Sequence, residues 1–202
     1  MTTNISRTDI INALIEKHNY EYYLEIGVQS GKNFNAVKCD HKVGVDPDIN
    51  SRATIYLESD KFFEENKQKF DIVFIDGLHH WQQVKKDIEN ALACLNKGGV
   101  IVCHDINPKD ENSQKVPRIQ SHWNGDCWIA WVKLRARKDL KMFVIDTDEG
   151  CGIITKGKQQ TLEVVAGLSY RDLECNRKAM LNLISVEEWQ DIIQPATSGA
   201  NK

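Results

Sequence analysis

Apolar residues first recur at helical spacing at Ile10, Ile11, Leu14 and Ile15, a stripe on one side of a helix that Ser6 or Thr8 can cap. The pattern then changes to short apolar runs bounded by turn residues. YYLEIGV (22–28), KVGVDPD (42–48), TIYLES (54–59), FDIVFID (70–76) and VIVCHD (100–105) read as strands. Pro47 stops the second. The fourth is apolar almost throughout, as a strand covered on both faces should be. A short helix is expected over DKFFEENKQKF (60–70). A longer one carries Trp81, Val84, Ile88, Ala91, Leu92 and Leu95 on one side, and Gly98 and Gly99 are expected to end it. A helix resumes near Cys127, with Trp128, Trp131 and Val132 on one side. MFVID (142–146) and CGIIT (151–155) are the last two strands, separated only by TDEG (147–150). VEEWQDII (186–193) reads as an amphipathic helix, and the ATSGANK tail is expected to fray.

Strands alternating with helices imply parallel βαβ units with right-handed crossovers. The last two strands lie too close for a helix between them and should form a hairpin. The expected fold is therefore α/β: a Rossmann-like, doubly wound, seven-stranded sheet, mostly parallel, with one antiparallel strand near the C-terminus. The expected organisation is a single domain over 1–202, with a core over about 20–156 and a C-terminal extension over 157–202.

Composition narrows the function classes. The 202 residues suit one domain with a full core, and the 41% hydrophobic and 27% charged content is that of an ordinary globular protein. A net charge of −3 implies no broad attraction to nucleic acid or anionic membrane. The first residues lack the pattern of a signal peptide, and no apolar run approaches the roughly 20 residues of a membrane span. Cys39, Cys94, Cys103, Cys127, Cys151 and Cys175 form no C-x-x-C pair. They are read as reduced thiols of a cytoplasmic protein, several of them acting as small hydrophobes.

In a parallel sheet a ligand sits at the carboxyl ends of the strands, and the chemically interesting residues fall there. Glu25 lies in the first strand, and Gly27 and Gly31 frame the turn after it, where glycine lets backbone approach a ligand. A carboxylate just before the turn is awkward for a pyrophosphate and suits a ligand bearing an amine. Asp46 ends the second strand, where an acid can take two ribose hydroxyls. Ser59 and Asp60 end the third, placed to meet an adenine edge. Amine, ribose and adenine together describe S-adenosylmethionine (SAM) better than NAD. Taken singly, Gly31 is also an ordinary turn glycine, and Asp60 an ordinary helix cap.

With these residues in order, the chain resembles a class I SAM-dependent methyltransferase. It is most similar to a small family whose later segments read D-G-x-H, G-G-V-I-V and H-D, here IDGLHHWQQVKKDIENALACLNKGGVIVCHDINP (75–108). The resemblance runs from about residue 20 to 156. It implies that Glu25, Gly27 and Gly31 hold the methionine end, Asp46 the ribose, and Ser59 with Asp60 the adenine side, with Asp76 at the cofactor's edge. Gln29 stands where many relatives have glycine and is expected to narrow the turn.

Asp76 and Asp105 end neighbouring strands and should converge where the methyl group emerges. Two carboxylates beside imidazoles suit a divalent cation, Mg²⁺ or one more tolerant of nitrogen. Asp76, Asp105 and His104 are the candidate ligands. The other reading of His104 is a satisfied buried histidine. Related small-molecule O-methyltransferases hold Mg²⁺ with acids at these strand ends and place a lysine base three residues after the first. That position is His79 here, a candidate base or ligand, with Asp76 beside it as the second candidate catalytic group. Relatives add an asparagine directly after the second acid, but Ile106 follows Asp105 and Asn107 comes one later. The polar stretch 106–126 is long for a connection and is expected to cover a substrate, with Arg118, His122, Trp123 and Trp128 as candidate contacts. Trp128 and Trp131 also fit the core.

The expected function is thus SAM-dependent methylation of a small-molecule hydroxyl, of sugar or natural-product type. Neither nucleic acid nor membrane is expected as a partner, and homo-oligomerisation is left open. The alternatives are an NAD-dependent oxidoreductase on the same sheet and a SAM-binding module without catalysis.

Overall fold

A computed structural model describes residues 4–163 and 167–194. The ATSGANK tail lies outside the described residues. In chain order the elements are α1 (Arg7–His18), β1 (Tyr22–Ile26), α2 (Lys32–Ala36), β2 (His41–Val45), α3 (Ser59–Glu65), β3 (Phe70–Ile75) and α4 (Trp81–Cys94). They continue with β4 (Leu95–Cys103), α5 (Cys127–Leu134), β5 (Leu140–Ile145), β6 (Cys151–Lys156), α6 (Tyr170–Leu181), β7 (Leu183–Ile184) and α7 (Val186–Ile193). The strands form one seven-stranded sheet in the order β2-β1-β3-β4-β6-β5-β7. β6 runs antiparallel to both its neighbours, while β1 to β4, β5 and β7 share a direction. The expected architecture holds.

β3 shows why its sequence is apolar on both sides. Val73 and Ile75 face a core made with α4, α5 and α6, and Ile72 and Phe74 face one made with α1, α2 and α7. Successive strand residues point to opposite faces, and both faces are covered by helices. Trp128 and Trp131 are fully buried in the first core. Ser6 caps α1 through a reciprocal bond with Asp9. All six cysteines are free, four of them buried.

Two expectations are corrected. TIYLES does not form a strand: its one ladder contact is an isolated bridge, Ile55 to Val45. Ile55 and Leu57 pack inward, but Tyr56 is exposed and Ser59 already begins α3. The sheet reaches seven strands through β7 in the C-terminal extension, which pairs with β5. Gly98 and Gly99 do not end α4 either. The helix stops at Leu95, whose buried side chain opens β4, and the glycines lie inside that strand where its register against β3 shifts.

Candidate active site

The carboxyl ends of β1 to β4 are level, so their following turns lie side by side. Backbone bonds carry the ladder past the strands: Gly27 N donates to Val45 O (2.8 Å), Asp76 N to Ile26 O (2.9 Å) and His104 N to Ile75 O (3.0 Å). Gly27 has φ +89°, and a Cβ there would sit 2.1 Å from the Asp76 carbonyl oxygen. Only glycine lets the first turn press against the third. Gln29 takes the left-handed conformation (φ 48°) without being glycine. The turn is stitched to the second strand end, since Gln29 N donates to Asp46 Oδ2 (2.8 Å).

Glu25 is 1% exposed beneath this turn. Tyr23 Oη and Asn33 Nδ2 (2.9 Å) both donate to its Oε2. Burial outweighs these bonds and pushes its carboxyl up to about 7. Asp46 is buried, with Oδ2 on Gln29 N and Oδ1 on Asp48 N (2.9 Å). Ser59 and Asp60 lie in the first turn of α3 rather than at a strand end. Gln83 Nε2 bonds both, and Lys86 pairs with Asp60 at 2.6 Å. The structure therefore gathers Glu25, Gly27, Gly31 and Asp46 around one turn and anchors Ser59 and Asp60 to α4.

Asp76, His79, His104 and Asp105 do converge. His79 Nε2 lies 3.3 Å from Asp76 Oδ1 and 3.4 Å from Asp105 Oδ2. His104 Nδ1 lies 3.5 Å and 3.0 Å from the same two oxygens. Burial disfavours charge on either imidazole, but the facing carboxylates overcome this and raise both pKa values, that of His104 far above the ordinary value. Burial likewise opposes the Asp76 charge, yet His104 and His79 hold that carboxyl far below the usual range. His104 is buried as expected, with Nδ1 ion-paired to Asp105 at 3.0 Å and Nε2 3.6 Å from Asp148, although neither contact has hydrogen-bond geometry.

Several residues at this site carry no local sequence signal. Arg7, at the start of α1, donates from Nη1 to Asp76 (2.8 Å), and from its backbone N, Nε and Nη2 to Asp148. Asp148 and Glu149 sit in the β5–β6 turn, both at positive φ (43° and 62°). The asparagine that meets the second acid is Asn124, whose Nδ2 donates to Asp105 Oδ1 at 2.6 Å. Asn107 is turned away onto Asp146 and Arg177. The 106–126 stretch lies against the site: Trp123 stacks on His79 (centroids 5.2 Å apart), and His122 pairs with Glu149.

No helix of the described residues is long and apolar enough to cross a membrane. A comparison with curated proteins returned no match. Solved structures share the fold. A SAH-bound methyltransferase from Podospora anserina aligns with TM-score 0.54 and 14% identity, over 75% of this chain and 78% of that one. An O-methyltransferase from Bacillus cereus, in complex with SAH, aligns at 0.51 and 16%, over 75% and 80%. An O-methyltransferase of tomaymycin synthesis from Streptomyces achromogenes, in complex with SAM, aligns at 0.51 and 15%, over 73% and 77%. Residues 24–106 match a family model described as a methyltransferase domain, and that stretch contains every strand-end acid from Glu25 to Asp105.

Proposed function

We propose that this chain is a SAM-dependent methyltransferase acting on a hydroxyl of a small-molecule acceptor, of sugar or natural-product type, with a divalent cation at the ends of β3 and β4. The observation that carries the reading is the coincidence of the methyltransferase-domain match with an ordered row of acids at level strand ends. The residues present fit both groups. A buried carboxyl beneath a tight glycine turn suits an amine rather than a pyrophosphate, and two acids and two imidazoles converge within 3.0–3.5 Å of one another at the ends of β3 and β4.

Glu25 binds the amine, Gly27 and Gly31 shape the turn, and Asp46 accepts from the ribose hydroxyls. Ser59 and Asp60 face the adenine side, and Asp76 closes the cofactor's edge. When bound, SAM supplies the methyl group for transfer to the acceptor oxygen. A divalent cation supplies positive charge that favours the deprotonated acceptor. The protein's main contribution is to align the acceptor oxygen and exclude water, with the 106–126 loop as cover. Asp76 and His79 border the reacting position. His79 turns Nε2 to the acids and keeps Nδ1 buried without a partner, so Nε2 is the nitrogen placed to hold a cation or to take a proton.

Calorimetric titration with SAM, SAH and NAD tests the cofactor. SAM and SAH are expected to bind and NAD not. Asp46→Ala should weaken SAM binding by about 1–3 kcal/mol, because the ribose hydroxyls lose their acceptor. Tight NAD binding without SAM binding would instead support an oxidoreductase, and SAM binding with no turnover across an acceptor panel would support a binding module.

A further inference from the structure

The methionine end of SAM carries two opposite charges on one carbon, an ammonium and a carboxylate. Glu25 suits the ammonium. A carboxylate brought beside Glu25, Asp76, Asp105 and Asp148 is repelled unless a cation meets it. The groups that meet the two charges must also lie close together, because both charges sit on the same carbon.

Arg7, in the first turn of α1, satisfies both conditions. Asp148 grips its guanidinium side-on, with Nε 3.0 Å from Oδ2 and Nη2 3.1 Å from Oδ1, and the backbone N of Arg7 donates to the same carboxylate at 2.7 Å. Nη1 donates to Asp76 Oδ2 at 2.8 Å. A guanidinium has five N–H donors. These bonds use three of them, so one hydrogen on Nη1 and one on Nη2 stay uncommitted, and the side chain is 29% exposed. The next residue ties α1 to the glycine turn. Thr8 Oγ1 donates to Asn33 Oδ1 (2.7 Å), and Asn33 Nδ2 donates to Glu25 Oε2 (2.9 Å). The start of α1 thus bridges the acid of β1 and the acid at the end of β3. Lys42, the cation that acts on Glu25 from β2, is spent on the carbonyls of Phe34 and Val37. Arg52 lies against Gly31 but is exposed.

We propose that Arg7 takes the carboxylate of the cofactor's methionine end through its two uncommitted N–H groups, beside the ammonium held by Glu25. The assignment rests on the SAM reading and extends it to a residue outside the matched stretch 24–106. Asp148 stands behind Arg7 as a positioning residue. Its two-pronged grip fixes the guanidinium plane before the cofactor arrives, which lowers the ordering cost of binding. Each charge of the zwitterion then faces its opposite, although the pocket as a whole is rich in acids.

The test is calorimetric titration of the full chain with SAM and with decarboxylated SAM, which keeps the sulfonium and the amine and lacks only the carboxylate. The parent should bind SAM about 10–100-fold more tightly than decarboxylated SAM, the usual size of a hydrogen-bonded contact between charged groups. Arg7→Gln should reduce that ratio to below about 3, chiefly by weakening SAM. The ratio isolates the contact, because a general loosening of the fold weakens both ligands alike. If circular dichroism shows Arg7→Gln unfolded, Arg7→Lys replaces it. Lysine keeps the charge but not the planar fork, and should give an intermediate ratio. Arg52→Gln should keep the parent's ratio. A parent ratio near one, an unchanged ratio in a folded Arg7 variant, or a ratio lost in Arg52→Gln would each sink this assignment while leaving the SAM reading intact. A parent chain that binds neither compound sinks the SAM reading itself, and this assignment with it.

Discussion

The two halves of the strand-end row are built differently. At the ends of β1 and β2, Glu25, Gly27, Gln29 and Asp46 satisfy one another: the acids accept from Tyr23, Asn33, Gln29 and Asp48, each at most 17 positions away and in hydrogen-bond geometry. At the ends of β3 and β4, Asp76 is held by Arg7, 69 positions away, and Asp105 by Asn124, 19 away. The imidazoles between them face the acids at 3.0–3.5 Å, while His79 Nδ1 and both nitrogens of His104 make no contact of hydrogen-bond geometry. The first half is a shaped scaffold whose polar groups already have partners. The second is dense in charge and under-satisfied, and a buried polar group without a partner is expensive unless a ligand supplies one. The contrast locates where an unassigned ligand is to be sought.

The largest expected effect breaks the scaffold half. Gly27→Ala must accommodate both a left-handed backbone and a Cβ 2.1 Å from a carbonyl oxygen. It should lose about 3 kcal/mol or more of stability in urea denaturation, or fail to fold. A loss below about 1 kcal/mol would mean the turn relaxes freely.

Glu25 sharpens the comparison through pH. Its folded-state pKa of about 7 lies above the ordinary 4.5, because burial penalises the charge. The native state therefore keeps a proton that the unfolded chain releases between those values. Stability from this group is full below about pH 4.5, falls as pH rises to about 7 and is level above, by about 3 kcal/mol in all. Glu25→Gln should flatten that slope and raise the urea midpoint at pH 8 relative to the parent, while SAM binding weakens. A Glu25→Gln variant with the same slope as the parent in this window would show that Glu25 is charged in the free fold.

In the second half, Asn124→Ala leaves Asp105 Oδ1 buried without its donor. A loss of about 1–3 kcal/mol in urea denaturation is expected, with SAM affinity retained. The smallest effect belongs to Asp60→Asn. Its partner Lys86 is more than half exposed, so stability should change by under about 1 kcal/mol. A fall in SAM affinity would support the adenine role of Asp60; an unchanged affinity would confine it to the contact with α4.

The strands β1 to β6 were legible because burial on both faces writes continuous apolar runs. The Rossmann-like order followed because the spacing of those runs leaves room for helices everywhere except before β6. The failures have one cause. TIYLES alternates like a strand, but only Ile55 and Leu57 have anything to pack against. Leu183–Ile184 is too short to announce itself and pairs only because α6 delivers it to the edge of β5.

The same division holds at the site. Local sequence determined Glu25, Gly27, Gly31, Asp46, Asp76, His79, His104 and Asp105, since a strand end followed by a turn is a local event and its position in the row follows from strand order. Tertiary structure alone decided which oxygen of each acid faces inward, that Asn124 rather than Asn107 meets Asp105, and that Arg7 and Asp148 stand behind the cluster. Those choices depend on hydrogen bonds between residues 19 to 141 positions apart. The direction of a side chain in such a bond is set by where its distant partner is packed, and no local pattern of residues encodes that.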